Sequence, residues 1–180
     1  MTIKKIMLPF HSKSSQYLVV GLTVSLLAAC QTTADSSSSI KAQQNHQKAY
    51  ITGDVTEQTL FKDYPYFAKG YQSYQLSQQQ VALVKSLPSN ISLDVYFGAW
   101  CHDSQREVPR LLKALSVNPN ITTKLIALDI RKQEPQGRAA ASGVKYTPTI
   151  IVKQDGEEVG RIIERPKTNL VADILSFVRL

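Results

Sequence analysis

The sequence predicts an α/β protein with a mixed central sheet flanked by helices. Between residues 77 and 180, segments with the apolar period of a helix alternate with short apolar segments rich in β-branched residues. Two of the short segments, residues 149–153 and 158–164, flank Asp155-Gly156, a strong hairpin signal. About 130 residues follow a polar N-terminal segment, and that length suits one compact domain.

The first half of this domain begins with a short amphipathic helix that follows Ser77, its expected N-cap, and precedes Pro88. Residues 91–97, ISLDVYF, are predicted to form a strand. From Cys101 the period changes: apolar residues recur at i, i+3, i+4 and i+7, which is typical of a helix resting on a sheet. These residues are Val108, Leu111, Leu112 and Leu115.

The second half is predicted to contain a buried strand at residues 121–130 and an alanine-rich helix at residues 134–143 that ends near Gly143. The hairpin follows, and Thr168 is expected to cap the last helix. From residue 91 onward the predicted order is βαβαββα, an α/β sandwich.

The segment before this domain, residues 49–76, is dense in aromatic side chains. We interpret it as an extension that packs onto the domain outside its common core, since buried aromatic rings supply large contact areas. A partner-binding surface is the alternative. The aromatic residues are Tyr50, Phe61, Tyr64, Tyr66, Phe67, Tyr71 and Tyr74.

Residues 1–29 have the pattern of a signal peptide. Three lysines and no acid precede a 13-residue apolar run at residues 17–29. A membrane-spanning helix needs ~20 apolar residues, so this run is short for one. The sequence therefore predicts export.

The apolar run ends in LAAC, with the cysteine at position 30. This ending resembles the lipobox of bacterial lipoproteins, which implies cleavage before Cys30 and lipidation of its sulfur. In bacterial lipoproteins, an Asp directly after this cysteine favours the inner membrane. The residue here is Gln31, which implies an anchor in the outer membrane, facing the periplasm. A free or disulfide-bonded Cys30 after an ordinary cleavage site is the alternative. Residues 30–48 are then the lipidated cysteine and a polar tether, followed by the domain at residues 49–180.

Cys101 is the only cysteine after Cys30, at a point where a strand runs directly into a helix. The N–H groups and dipole at a helix start favour a thiolate, the nucleophile in disulfide exchange. A protonated His102 would stabilise that thiolate, whereas Asp103 would oppose it. Taken by itself, a lone cysteine is more often a small buried apolar residue than a reactive group.

The neighbouring residues resemble the thioredoxin family. Residues 97–101 read FGAWC, Pro109 lies eight positions after the cysteine, and Thr147-Pro148 opens the hairpin. The resemblance covers residues 77–180 and implies a thioredoxin-like fold with Cys101 as the nucleophile. It also implies a cis Pro148, a substrate-docking backbone at Thr147, and a site shaped in part by Trp100.

Two positions depart from the family pattern. Ser104 replaces the second cysteine of Cys-x-x-Cys, so its hydroxyl can hydrogen-bond a thiolate but cannot resolve a mixed disulfide. Val95 stands where the family often has a buried acid, and the adjacent Asp94 points to the opposite face of its strand. Turnover would therefore need an external thiol.

These features predict a membrane-anchored periplasmic protein that exchanges disulfides with protein thiols through Cys101, Ser104 and His102, with substrate contacts at Trp100, Thr147 and Pro148. A non-catalytic binding module for an envelope partner is the alternative. A one-cysteine peroxidase ranks last, because Gly98 stands where such enzymes usually have Thr or Ser.

No cofactor and no metal site are expected. Only His46 and His102 follow the signal segment, and neither has zinc-ligand spacing with Cys101. An iron–sulfur role, as in monothiol glutaredoxins with Cys-x-x-Ser, is disfavoured by Trp100 and by export. The net charge is +7, but the lysines and arginines are spread along the sequence and form no cluster, which argues against nucleic-acid binding.

Overall fold

The computed structural model describes residues 50–179. The predicted signal peptide, the lipidation site Cys30 and the tether lie outside the described residues and stay predictions. Within residues 50–179, no helix is both long enough and apolar enough to cross a membrane.

The described part contains five strands and six helices. In chain order they are β1 Gly53–Val55, α1 Glu57–Asp63, α2 Pro65–Ser73, α3 Gln78–Lys85, β2 Ile91–Phe97, α4 His102–Leu115, β3 Thr122–Ala127, α5 Arg138–Ala141, β4 Thr149–Gln154, β5 Glu157–Ile163 and α6 Leu170–Phe177.

The strands form one mixed sheet in the order β1-β3-β2-β4-β5. The central strand β2 runs parallel to β3 and antiparallel to β4. Strands β1 and β5 pair antiparallel at the two edges. This arrangement confirms the predicted α/β class with a mixed sheet.

The two faces of the sheet carry separate apolar clusters, as the alternation of side chains along β2 requires. Val95 and Phe97 face the larger cluster, which includes residues of α1, α2, α3, α4 and α6. Tyr96 faces a smaller cluster with Ala139 of α5. Asp94 shares the Tyr96 face and is paired with Lys153, which confirms that it points away from Val95.

Several local predictions are confirmed. Ser77 caps α3 in a capping box with Gln80, in which each side chain accepts from the other residue's backbone N–H. Asp155 and Gly156 have φ values of 54° and 87°, and tight hairpin turns require such positive values. Cys101 is the N-cap residue of α4.

Three predicted boundaries are wrong, and the first two are the end of β3 and the cap of the last helix. Strand β3 ends at Ala127 instead of residue 130, because the Asp129 carboxylate accepts from the backbone N–H groups of Arg131 and Gln133 and closes a turn. The last helix is capped by Asn169 and not by Thr168, because the Asn169 side chain accepts from Ala172 N.

The helix predicted at residues 134–143 is also shorter than expected, since only Arg138–Ala141 is helical. Gly137, with a left-handed φ of 69°, precedes it. The Glu134 carboxylate accepts from the N–H groups of Gln136 and Ala139, at 2.8 and 3.1 Å, and so holds a turn where helix was expected.

The aromatic segment packs onto the domain, as predicted, but it is more structured than an extension. It contributes the edge strand β1 and the helices α1 and α2, none of which was predicted. Leu60 and Phe67 are fully buried in the larger cluster. Pro65 at the first position of α2 ends α1 and starts the next helix in one step.

Candidate active site

The reactive group of the candidate site is the thiol of Cys101, which is partly exposed. Strands β2 and β4 are neighbours, with Tyr96 opposite Thr149. The loop after β2 and the loop before β4 therefore meet. The Cys101 thiol donates to the Thr147 carbonyl oxygen at 3.1 Å, and the Thr147–Pro148 peptide bond is cis, as the resemblance implied.

Cys101 is the N-cap residue of α4, although its thiol accepts no hydrogen bond from the backbone N–H groups of the first turn. Gln105 N donates to the Cys101 carbonyl, which closes the first turn at 2.9 Å. The N–H groups of that turn and the positive end of the helix dipole favour an anion at the N-cap side chain. His102 is exposed at the first helical position.

Ser104 is fully buried beneath this loop. Its Oγ accepts a hydrogen bond from Gly98 N at 3.2 Å. The structure therefore shows Ser104 fixing the chain between β2 and α4, and its predicted hydrogen bond to the thiolate stays a prediction.

Trp100 is fixed over the end of β2. Its Nε1 donates to the Leu128 carbonyl at 3.1 Å, and a Cβ on Gly98 would lie 2.5 Å from the indole ring. The turn after Leu128 places Lys132 Nζ 6.0 Å from the ring centroid. Only a glycine at position 98 lets the indole lie this close to the backbone.

The Ala99 carbonyl holds the aromatic segment against the site. It accepts from the Tyr66 hydroxyl at 2.6 Å and from Gln105 Nε2 at 2.9 Å. Partial burial, followed by the nearby Tyr64 and Tyr50, raises the pKa of Tyr66 to about 12, although a hydrogen bond with Gln105 acts in the opposite direction. The phenol thus stays protonated and donates. No sequence signal relates Tyr66 to Ala99, so sequence reasoning missed this contact.

The guanidinium groups of Arg106 and Arg165 pair with the carboxylate of Asp103, which lies two residues after the cysteine. Asp103 Oδ1 lies 2.7 Å from Arg106 Nη2 and 3.2 Å from Arg165 Nη2. Arg106 also pairs with the buried Glu107 at 2.6 Å, and that bond, with the smaller effect of Asp103, raises the pKa of Arg106. The i, i+3 spacing of Asp103 and Arg106 was a readable signal, whereas Arg165 comes from the β5–α6 connection.

Exposed apolar side chains border the thiol. Tyr66 bonds to the site loop, and Tyr146 immediately precedes Thr147. Ile163 lies on β5 opposite Thr149. Exposed apolar groups that cluster in this way mark an interaction surface. Tyr66, Tyr146 and Ile163 are among the large apolar side chains exposed within residues 50–179.

Residues 50–179 contain no group of three or more His, Cys, Asp or Glu side chains placed to hold a metal ion. The nucleophile at the candidate site is the thiol of Cys101. A partly exposed cysteine at a helix N-terminus, beside a cis proline that opens the neighbouring strand of a mixed sheet, defines a protein of the thioredoxin fold class.

The chain belongs to the thioredoxin family, because the family model described as Thioredoxin matches residues 54–174. The match begins in β1 and so extends further toward the N-terminus than residues 77–180, over which the resemblance was seen in the sequence. No curated protein matches the sequence.

Two solved structures are similar in fold. A protein of unknown function from Pseudomonas aeruginosa aligns with a TM-score of 0.52 at 19% identity, covering 71% of this chain and 92% of its own. An HIV epitope-scaffold aligns with a TM-score of 0.55 at 19% identity, with the same coverage of 71% and 92%. Both likenesses support the α/β sandwich.

Proposed function

We propose that this protein exchanges disulfides with polypeptide partners through Cys101 alone. The observation that carries the proposal is the position of the Cys101 thiol, which is partly exposed at the N-cap of α4 and 3.1 Å from the carbonyl that precedes the cis proline. A helix N-terminus favours the thiolate, and the thiolate is the species that attacks a disulfide.

The reaction has two balanced steps. In the first, the electron pair of the Cys101 thiolate forms a bond to one sulfur of a partner disulfide, the S–S bond of the partner breaks, and the other sulfur leaves as a thiolate that takes a proton from water. In the second, an external thiolate attacks the partner sulfur of the mixed disulfide, a new S–S bond joins the external thiol to the partner, the bond to Cys101 breaks, and Cys101 leaves as a thiolate. Ser104 cannot perform this second step. His102, when protonated, stabilises the thiolate, and Trp100, Thr147 and Pro148 contact the partner.

We place this activity in the periplasm, on a lipid anchor at Cys30 that holds the protein on the outer membrane. The support is the lysine-rich, apolar N-terminus that ends in LAAC. Disulfides persist in that compartment, so partners with disulfides are present there. We propose that residues 31–48 connect this anchor to the domain.

A second candidate is a binding module without turnover. The observation that favours it is the group of exposed apolar side chains at the site, because such a surface can hold a partner whether or not sulfur chemistry follows. Capture of a partner that survives Cys101→Ala would support the binding module over exchange.

The deciding experiment is the rate of alkylation by iodoacetamide at neutral pH in the full chain carrying Cys30→Ser, purified in mild detergent, where Cys101 is the only thiol. We expect the folded chain to react faster than the same chain unfolded in denaturant, which is the control, because the start of a helix favours the reactive thiolate. A folded-state rate equal to or below the unfolded rate would contradict the exchange reaction and favour the binding module.

A companion variant tests the missing resolving thiol. Ser104→Cys supplies a sulfur three residues after Cys101, so mixed disulfides trapped with the wild-type chain should become short-lived in this variant. Trapping in cells, followed by gels with and without reductant, measures this directly. Mixed disulfides that are equally long-lived in the variant would contradict resolution by an outside thiol as the limiting step.

A further inference from the structure

A groove of about 480 Å³ lies between β5 and α6 beside the site. It is lined in part by Arg161, Ile163, Arg165, Lys167, Asp173 and Phe177. We refer to it as the β5–α6 groove.

The groove is continuous with the cysteine site through residues 163–165. Ile163 lies opposite Thr149, the first residue of β4. The backbone N–H of Glu164 donates to the Pro148 carbonyl at 2.8 Å. The Arg165 guanidinium reaches Asp103, two residues after the thiol. Ile163 and Arg165 thus line the groove and also contact the surroundings of the cysteine.

The available charge in the groove is positive. Asp173 is buried, and its carboxylate oxygens accept from the backbone N–H groups of Lys167 and Thr168, at 2.6 and 3.1 Å. Arg161 is likewise held by both carboxylate oxygens of Glu158. Arg165 has a side chain that is 69% exposed, and Lys167 is exposed. Arg165 also pairs with Asp103, but most of its side chain is exposed, so that both cations present surface to a ligand.

The opposite rim of the site is also basic. Lys132 lies over Trp100, and Lys145 is exposed two residues before Thr147. The acids on these rims are few: Asp103 is shared by two arginines, and Asp129 accepts from two backbone N–H groups in its own turn. Glu164 is the exposed acid beside Arg165.

We propose that the partner is a polypeptide whose reactive cysteine is flanked by acidic residues, and that the β5–α6 groove holds those residues through Arg165 and Lys167. Arginine binds carboxylates in a bidentate geometry, and charge complementarity raises the rate of encounter. Ile163 and Tyr146 add apolar contact on either side of the cis proline. The covalent step of this proposal rests on the exchange reaction proposed above.

The kinetic test uses a short peptide with one central cysteine, blocked as a disulfide with 2-mercaptoethanol, and with glutamates on both sides. Its partner peptide has glutamines at those positions. The Cys101 sulfur bonds to the peptide sulfur, and 2-mercaptoethanol leaves as a thiolate that water protonates. With the full Cys30→Ser chain at low ionic strength, we expect the glutamate peptide to react about tenfold faster. Added salt should shrink the difference.

Two double variants separate the groove from general charge. Arg165→Gln with Lys167→Gln should remove most of the preference for the glutamate peptide. Lys62→Gln with Lys85→Gln removes the same charge from α1 and α3, outside the groove, and should retain the preference. Equal rates for the two wild-type peptides, or an equal loss in both double variants, would overturn the proposal.

A separate test measures binding alone, in a variant and with peptides that cannot exchange disulfides. In the chain carrying Cys30→Ser and Cys101→Ala, peptides with serine in place of cysteine are titrated by fluorescence anisotropy. The glutamate peptide should bind more tightly than the glutamine peptide, and the groove variant should lose that difference. Equal binding overturns the groove proposal even if exchange occurs. An unreactive Cys101 with preferential binding overturns the exchange reaction and leaves the groove proposal supported.

Discussion

The loop around Cys101 and the turn at residues 134–138 both carry a polar side chain at the entry to a helix, but they use it differently. In the turn, the buried Glu134 carboxylate accepts two backbone N–H groups, and Arg138 lies 3.7 Å from it while also pairing with Asp54. In the site loop, the thiol is partly exposed and touches a carbonyl from a distant loop.

The difference separates groups that hold the fold from groups that can meet a partner. Burial by itself raises the pKa of Glu134, yet the hydrogen bonds from Ala139, Gln136 and Arg138 outweigh it, so that the pKa lies below its usual range. That carboxylate is fully engaged by the fold. Around Cys101, by contrast, apolar and cationic side chains keep exposed surface, and we expect substitutions of those exposed side chains to change reactivity more than stability.

The largest effect on stability is expected from Gly98→Ala, which tests the packing beneath the site. The added Cβ would lie 2.5 Å from the Trp100 indole, so the ring must move and lose its hydrogen bond to Leu128. Such overpacking costs about 3 kcal/mol in the free energy of unfolding. Trp100 is the only tryptophan, so its emission should shift as the melting temperature falls.

Gly160→Ala is the matched control for this change. A Cβ at position 160 would collide with the Phe177 ring, away from Trp100. The melting temperature should fall while the tryptophan emission and the alkylation rate of Cys101 stay unchanged. A Gly98→Ala protein with wild-type emission would show that the indole is not held as described.

The next effect is expected in the other region, from Glu134→Gln. The amide replaces a carboxylate that accepts two N–H groups and faces Arg138, so we expect a loss of about 2 kcal/mol at neutral pH. Because the folded-state pKa of Glu134 is lowered, its contribution is present above the ordinary value of 4.5 and is lost as the pH falls through the lower folded value.

Denaturant unfolding of both proteins across this pH range measures the effect, and the difference should shrink in acid. Glu157→Gln, at the exposed start of β5, should show no such difference. The Cys101 alkylation rate should be unchanged in Glu134→Gln. A gap in stability that persists in strong acid would mean that the glutamate acts through its shape and not through its charge.

The same two regions show what the sequence could predict. Cys101, Thr147 and Pro148 follow from strand ends and turn residues, which are local signals, and their meeting follows from the predicted strand order. The turn at Glu134 was missed because an alanine-rich segment favours a helix, and only the side-chain hydrogen bonds to Gln136 and Ala139 override that preference.

The contacts made by Tyr66 and Arg165 were missed for another reason. Tyr66 is 33 residues away from Ala99 in the chain, and Arg165 is 62 residues away from Asp103. Periodicity gives the face of a helix or strand but not which distant side chain reaches it. Such partners are visible only once the chain has folded.

Tyr66→Phe tests that distant contact and should have a smaller effect. The ring is retained, and the Ala99 carbonyl keeps its bond from Gln105, so the loss is about 1 kcal/mol in the free energy of unfolding. Tyr71→Phe is the control, because the Tyr71 ring packs on Phe61 and keeps that contact. Equal losses from the two substitutions would mean that the hydrogen bond to Ala99 contributes nothing specific.

The smallest effect on stability is expected from Asp103→Asn. Partly exposed ion pairs contribute little, so the free energy of unfolding should change by no more than about 0.5 kcal/mol. The reactivity of Cys101 should nevertheless change, because the substitution removes the negative charge nearest in sequence, which pairs with Arg165 and is one of two acidic partners of Arg106. The anionic reagent iodoacetate should gain about threefold over neutral iodoacetamide, and salt should suppress the gain.

Asp63→Asn, at the exposed end of α1, is the matched control and should leave the reagent ratio unchanged. Glu134→Gln and Asp103→Asn together make the contrast between the two regions measurable. Glu134→Gln should change stability without changing the reagent ratio, and Asp103→Asn should do the reverse. If Asp103→Asn lowered stability as much as Glu134→Gln and left the ratio unaltered, the charges around Cys101 would belong to the fold, and a partner would have to be recognised by the apolar rim alone.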